Sequence, residues 1–372
     1  MTYSLRKKTL ALFFTRDVSL QRWDEVGNLS REIAIYNKLS PYMKRIYFFT
    51  YGTRDDLKYQ DQLAENIVIV PKVLPLPNLL YMLVLPILSN RECRDADIYK
   101  TNQMKGAIAP LIAKTFFDKP LVVRCGYEWL NSSIRAGSVW WKLLIIKTIE
   151  KLVYRNANHI ILTAKNIKEF VLKRFDVPEK QITIVSNYIN TELFSPKQSN
   201  KHHKTIYFVG RLSAEKNLFN LISALSGLDF TLVVFGCGAL DSDLRLHAKF
   251  EDVRVEFRGN ISNDLLPQEL NNAEIFILPS LFEGNPKALL EAMACGLPVI
   301  ATDVVGNQEL IKHKENGYLC ETSVESIREA IVAVTSDPSL MSTMGTGARK
   351  MILERFSIEH VMKSEMNIYS LL

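Results

Sequence analysis

Long apolar runs are scarce in this chain. The greasiest stretch, Val73 to Leu88, is broken by Pro75, Pro77 and Pro86 and falls short of the ~20 apolar residues that a spanning helix needs. A transmembrane helix is therefore not expected. The N-terminal MTYSLRKKTLALFF puts charge before a short apolar run, but that run stops at Thr15-Arg16-Asp17 without a small-residue cleavage site. It reads as a first strand rather than a signal peptide. Cysteine is sparse: five residues, an odd number, widely spaced and without a C-x-x-C pair. That argues against a disulfide framework and for reduced, cytosolic thiols. The six histidines show no ligand spacing beyond the adjacent His202-His203. Two Asp-x-Asp pairs occur: Asp95-Ala96-Asp97 runs into a strand, and Asp241-Ser242-Asp243 opens a helix, where Asp serves as a cap. No metal is expected.

What is present is an ordinary globular composition, 47% apolar and 23% charged over 372 residues, near the average for folded domains. At about 100–200 residues per domain, this length suits two. The net charge of +6 conceals an asymmetry: residues 1–190 carry 29 Lys/Arg against 17 Asp/Glu, and residues 191–372 carry 17 against 23. A basic first half suggests an anionic partner, either a phosphorylated substrate or an acidic membrane face, with a merely solvated surface as the alternative. The basic residues lack an aromatic-interleaved motif, so nucleic acid is not an expected partner.

Strand-like runs at Thr9–Phe14, Arg45–Phe49, Ile67–Val70, Asp97–Thr101, Leu121–Arg124, His159–Leu162 and Ile182–Val185 alternate with helical patterns such as Asn28–Leu39, Gly106–Phe117, Val139–Arg155 and Lys165–Arg174. This order implies βαβ units and a mainly parallel sheet. The pattern lapses between Ser186 and Lys204, then restarts with strands at Ile206–Val209, Phe230–Phe235, Val253–Phe257, Ile275–Leu278 and Pro298–Ala301. Beyond Leu319 only helical patterns remain. The expected fold class is α/β, with two doubly wound Rossmann-like domains.

Ligands of open parallel sheets bind beyond the carboxyl ends of the strands, so three loops of the second half stand out. GRLSAEKN places Gly210 at a turn and Arg211 and Lys216 near the start of a helix; a planar fork and a point cation there suit a pyrophosphate. GCGAL, with Gly236, permits close backbone approach, though such a pair is equally a tight turn. ILPSLFEGNPKALLEAMACGLPVIAT contributes Glu283, Gly284, Asn285 as a natural N-cap, Pro286 at the first helical position and Glu291 inside the helix. Taken alone, Glu291 reads as an exposed helix carboxylate or a partner for Lys287, and Glu283 as a loop acid.

Together these pieces resemble a known family. Glu283 and Glu291, spaced E-x7-E in FEGNPKALLEAMACGLPVIAT, stand with VGRLSAEKN upstream, FRGNISNDLLPQELNNAEIFILPS before and GNQELIKHKENGYL after. This set resembles the retaining GT-B glycosyltransferases of the glycosyl transferases group 1 family (family 4-like), over Thr205–Glu354. The first half, with IYKTNQMKGA, KPLVVRCGYEW and SNYINTELFSP, is similar to the variable acceptor domain of members that build bacterial polysaccharides. The resemblance implies a GT-B architecture, two Rossmann-like domains facing across a cleft. It implies an acceptor domain at 1–186, a linker at 187–204, a nucleotide-sugar domain at 205–355 and a C-terminal helix at 356–372 packing back on the first domain. Its activity would be metal-independent transfer of a sugar from a nucleotide-sugar to a glycan or lipid-linked glycan acceptor in cell-surface polysaccharide biosynthesis, with no cofactor beyond the donor.

On the same resemblance Arg211 and Lys216 hold the donor diphosphate, Glu291 the ribose and Glu283 the hydroxyls of the transferred sugar. Backbone N–H groups at Gly284, Asn285 and Lys287 meet phosphate or sugar, and the Phe257–Ile261 turn, with Asn260 and Ile261, borders the base. The two carboxylates, at first sight like the acid/base pair of a glycoside hydrolase, become positioning groups for the donor. The chain departs from its relatives where many have a first-domain His: Cys125 stands there, leaving Arg124, Cys125 and Glu128 as acceptor-side candidates. Arg16 joins them in a first loop without the usual paired glycines. Val139–Arg155 lines Lys147, Lys151 and Arg155 along one face below two tryptophans, as a segment lying on an anionic membrane does, or as a core helix with a solvated edge does. The expected location is cytoplasmic, at the inner face of the cell membrane. The rival readings are a nucleotide-sugar epimerase of related architecture and a non-catalytic scaffold of a polysaccharide assembly complex.

Overall fold

The computed structural model describes residues 5–127, 129–135, 137–198 and 203–372. The chain divides into two compact units, one of Met1–Ser186 with Met362–Leu372, the other of Asn187–Val361.

The first unit runs β1 (Thr9–Phe13), α1 (Leu20–Glu25), α2 (Leu29–Leu39), β2 (Arg45–Phe49), β3 (Ile67–Val70), α3 (Asn78–Leu88), α4 (Asn90–Asp95), β4 (Ile98–Thr101), α5 (Ile108–Phe117), β5 (Leu121–Cys125), α6 (Trp129–Arg135), α7 (Trp140–Asn156), β6 (His159–Leu162), α8 (Lys165–Arg174) and β7 (Ile182–Ile184). Its strands form a seven-stranded sheet in the order β3-β2-β1-β4-β5-β6-β7, parallel throughout, with Thr9 opposite Arg45 and Leu10 opposite Ile98. β1, β4 and β5 are buried along their whole length, as strands covered on both faces must be. The start of α1 is held by a buried acid: Asp56 accepts from Leu20 N (3.1 Å), Gln21 N (3.0 Å) and Thr50 Oγ1 (2.6 Å).

The second unit runs β8 (Thr205–Val209), α9 (Leu218–Leu225), β9 (Thr231–Phe235), α10 (Asp241–Phe250), β10 (Arg254–Gly259), α11 (Leu266–Asn272), β11 (Ile275–Leu278), α12 (Lys287–Ala294), β12 (Val299–Thr302), α13 (Val305–Gln308), β13 (Tyr318–Cys320), α14 (Val324–Thr335) and α15 (Pro338–Arg355). The sheet order is β10-β9-β8-β11-β12-β13, the 3-2-1-4-5-6 arrangement of a dinucleotide-binding fold. β13 straddles Leu319, the point beyond which only helical patterns were expected, and was not anticipated as a strand; three residues are too few to show a period. The edge strand β10 exposes Arg254, Glu256 and Arg258 in alternation, charges that discourage further pairing.

The described part of the expected linker is packed into the second unit. Ile189 N bonds Phe356 O (2.8 Å), and Arg349 donates to Phe194 O, Ala294 O and Thr191 O at 2.6–3.0 Å. Ile189 and Phe194 are buried; the polar residues around them hid these two anchors. The last helix, α16 (Ile358–Leu371), brings Glu365 and Tyr369 into the first unit. Glu365 accepts from Lys100 Nζ (2.6 Å), Tyr369 Oη (2.6 Å) and Arg124 (3.4 Å), all in a buried cluster. Burial pushes the Glu365 carboxyl up, but the two cations and these bonds outweigh it and hold it below the usual range.

Candidate functional site

In the second sheet β8 neighbours β11, with Ile206 opposite Ile275, whereas the chain leaving β8 passes to β9 on its other side. The carboxyl ends of β8 and β11 therefore flank the reversal point at which open parallel sheets bind ligands. The loops there are Gly210–Lys216 and Pro279–Pro286, tied by Leu281 N to Glu215 O (2.8 Å).

This crossing brings together residues far apart in sequence. Lys216 Nζ donates to Glu283 Oε1 at 2.5 Å, and Ser280 Oγ donates to the same oxygen at 2.7 Å. Their side chains retain 18% exposure at Lys216 and 9% at Glu283, so the pair is largely enclosed but still reachable. Ser280 is fully buried. Thr302 Oγ1 donates to its carbonyl, and Asn307 Nδ2 donates to Thr302 O at 2.9 Å. A Cβ on Gly306 would stand 2.3 Å from Glu283 O, so only glycine lets α13 press on the backbone that carries the carboxylate.

Glu291 is not the exposed helix acid that its position suggests. It is buried, and its Oε1 accepts from Asn263 Nδ2 at 2.9 Å, which anchors the loop after β10 to α12. In that loop Asn260 is exposed and Ile261 half-buried. Asn285 does not cap α12. The cap position falls on Pro286, with no side-chain acceptor, because Asn285 is engaged by Asn187, whose N donates to Oδ1 (3.1 Å) and whose Nδ2 donates to Asn285 O (2.9 Å). The uncapped helix end, with half-buried Lys287 beside it, keeps its partial positive charge for an anion. Arg211 is exposed, a second cation in the loop that carries Lys216.

The GCG turn after β9 packs against the loop after β8. Gly236 has φ +135, and a Cβ there would fall 1.9 Å from Gly210 O; one on Gly238 would fall 2.2 Å from Leu212 O. The β8 loop thus lies directly on the β9 loop.

In the first unit, Arg16 is partly exposed beside Asp17 (3.4 Å). Two other acceptor-side candidates do not present free groups. Arg124 is 9% exposed and paired with buried Glu365. Cys125 is fully buried, and its thiol donates to Tyr127 O (3.0 Å): both sit on a central strand whose faces are covered. Glu128 and His202 lie outside the described residues. Three of the four Asp-x-Asp residues have structural partners. Asp95 accepts from Tyr47 Oη (2.9 Å) and Asp97 from Thr9 N (2.8 Å). Asp241 does not cap α10, whose cap position is Leu240, but pairs with Arg245 one turn on.

Sequence reasoning missed Ser280, Asn263, Gly306, Asn307 and Asn187. Ser280 left a trace, since S-x-x-E is the spacing of a capping box, although here the hydroxyl bonds the carboxylate itself. The others act across loops and carry no local signal.

Two parallel α/β units of this strand order fit the GT-B fold. Solved structures agree: the chain superposes on Anabaena Alr3699/HepE, crystallised with UDP, with a TM-score of 0.79 at 18% identity, covering 98% of this chain and 100% of that one. It matches sucrose-phosphate synthase of Thermosynechococcus elongatus equally, at 0.79 and 17% identity over 98% and 99%. Residues 190–351 match the family described as glycosyl transferases group 1, and residues 44–193 match glycosyltransferase family 4. These two matches, over adjoining parts of the chain, support a group 1 glycosyltransferase. Among similar proteins, the UDP-Gal:alpha-D-GlcNAc-diphosphoundecaprenol alpha-1,3-galactosyltransferase of Escherichia coli is 28% identical over 70% of this chain and 72% of its own length. The capsular polysaccharide biosynthesis glycosyltransferase CapM of Staphylococcus aureus is 25% identical over 62% and 66%.

Proposed function

We propose that this glycosyltransferase moves a sugar from a nucleotide-sugar to a glycan or lipid-linked glycan acceptor in cell-surface polysaccharide biosynthesis, with retention at the anomeric carbon and without a metal. The observation that carries the reading is the Lys216–Glu283–Ser280 cluster beside the uncapped start of α12. A departing nucleoside diphosphate gains negative charge as the glycosidic bond breaks, and preorganised cations and helix N–H groups stabilise it in place of a metal ion. Lys216 and Arg211 take the diphosphate, Glu283 the sugar hydroxyls and Glu291 the ribose. The β-phosphate of the donor receives the acceptor's proton. The names of the Escherichia coli and Staphylococcus aureus relatives support the donor and acceptor classes.

The test is a panel of nucleotide-sugars, UDP-sugars first, scored for thermal stabilisation and for transfer to lipid-linked saccharides with chelator present. The anomeric configuration of the product is read by NMR. Stabilisation by one donor, chelator-resistant transfer and a retained configuration are expected. Epimer formation without an acceptor would identify an epimerase, and no affinity for any nucleotide would identify a scaffold.

A further inference from the structure

The first unit carries an apolar surface that the donor chemistry does not use. The connections β3 to β4, β4 to β5 and β5 to β6 all step the same way along the sheet, so right-handed crossovers place α3, α5 and α7 on one face. α3 packs on α5, and α5 on α7.

α3 reads NLLYMLVLPIL, without a charged residue. Tyr81, Met82, Leu85 and Pro86 face inward, yet Leu79, Leu80, Leu83 and Ile87 are exposed. A helix apolar all round belongs inside a core or against lipid. Phe116 continues the surface on α5 at 62% exposure. On α7 Trp140 and Trp141 are 77% and 48% exposed, with Leu144, Ile145 and Leu152 below them. Apolar patches of this extent mark interaction sites.

The charges identify the partner. Lys142, Lys147, Lys151 and Arg155 are exposed on α7, and Arg155 contacts Asp176 at 3.3 Å. The one acid of the helix, Glu150, is buried. Exposed tryptophans with cations along one helix and no exposed acid on it match the headgroup region of an anionic bilayer. Among the described residues no helix is long and apolar enough to cross a membrane, so the surface lies in the interface.

We infer that the outer face of α3, α5 and α7 docks on an anionic lipid bilayer through Leu79, Leu83, Trp140, Trp141 and the α7 lysines. Binding is measured without any sugar donor, so its failure leaves the transferase assignment standing.

The experiment is co-sedimentation of the whole chain with phosphatidylcholine vesicles, with and without phosphatidylglycerol, alongside tryptophan emission and light scattering. The wild-type chain should bind only the anionic vesicles, shift its emission to the blue and be released by high salt. The triple variant K142Q/K147Q/K151Q should partition about a hundredfold more weakly, as the loss of three surface cations dictates. L79S/L83S and W140A/W141A should lose binding while melting as wild type, since these side chains are exposed. Absence of binding to both vesicles, salt-insensitive binding or unchanged partitioning of the triple variant would overturn the inference. So would a dimer that the same substitutions dissociate, which would make the face a contact between copies.

Discussion

Lys216→Ala separates the structural from the chemical role of the central ion pair. Lys216 Nζ is one of two donors to Glu283 Oε1. A hydrogen bond to a charged group contributes about 1.5–3 kcal/mol; the 18% exposure of the lysine side chain lets solvent screening reduce this to about 1–2 kcal/mol. Ser280 still serves the carboxylate. At about 2–4 °C per kcal/mol for a unit of this size, the melting midpoint should fall by about 2–8 °C, and the chain stays folded. Transfer should fall far more, because removing a preorganised donor to developing charge costs about 10²–10³ in kcat. Glu283→Gln and the double variant complete a cycle whose coupling in stability should be about 1–2 kcal/mol. The assay pairs thermal melts with initial rates of transfer from the stabilising nucleotide-sugar. A Lys216→Ala chain that melts as described and transfers at the wild-type rate refutes a role for Lys216 at the leaving group. A coupling near zero refutes the pair itself.

Three further outcomes are expected. Gly306→Ala drives a methyl against Glu283 O; overpacking of about 1–3 kcal/mol should displace the carboxylate and lower transfer at least tenfold, read by melting and kinetics together. Glu291→Ala removes the acceptor of Asn263 and should weaken donor binding while the fold persists, measured by titration calorimetry. Glu365→Gln leaves Lys100 and Arg124 without their buried counter-charge and should destabilise the first unit by about 3–5 kcal/mol. Because the Glu365 carboxyl is held below its ordinary 4.5, its contribution is complete above that pH and is lost as pH falls through the folded value. The gap between wild type and variant in thermal melts should therefore close on acidification; a gap independent of pH argues against an ionised cluster.

Much of the molecule was legible along the chain. Alternating strand and helix patterns define two βαβ series because each element buries its own periodic face. β2, β3, β6, β11 and α8 fall where the patterns place them. The loops bearing Arg211, Lys216, Glu283 and Glu291 stood out because phosphate chemistry calls for cations, glycines and a helix start in a short span. Capping was misjudged at Asn285 and Asp241, where a competing partner, Asn187 in one case and Arg245 in the other, claims the side chain.

What sequence alone determined is therefore local: element types, the family motif and the residue types available at each strand end. Only the tertiary structure decided which groups meet. Lys216 reaches Glu283 because β8 and β11 are sheet neighbours. Glu291 is buried because the loop after β10 folds Asn263 onto α12. Arg124 meets Glu365, 241 residues away. Pairing across such separations depends on the order and register in which strands dock, and no periodicity within a segment encodes that.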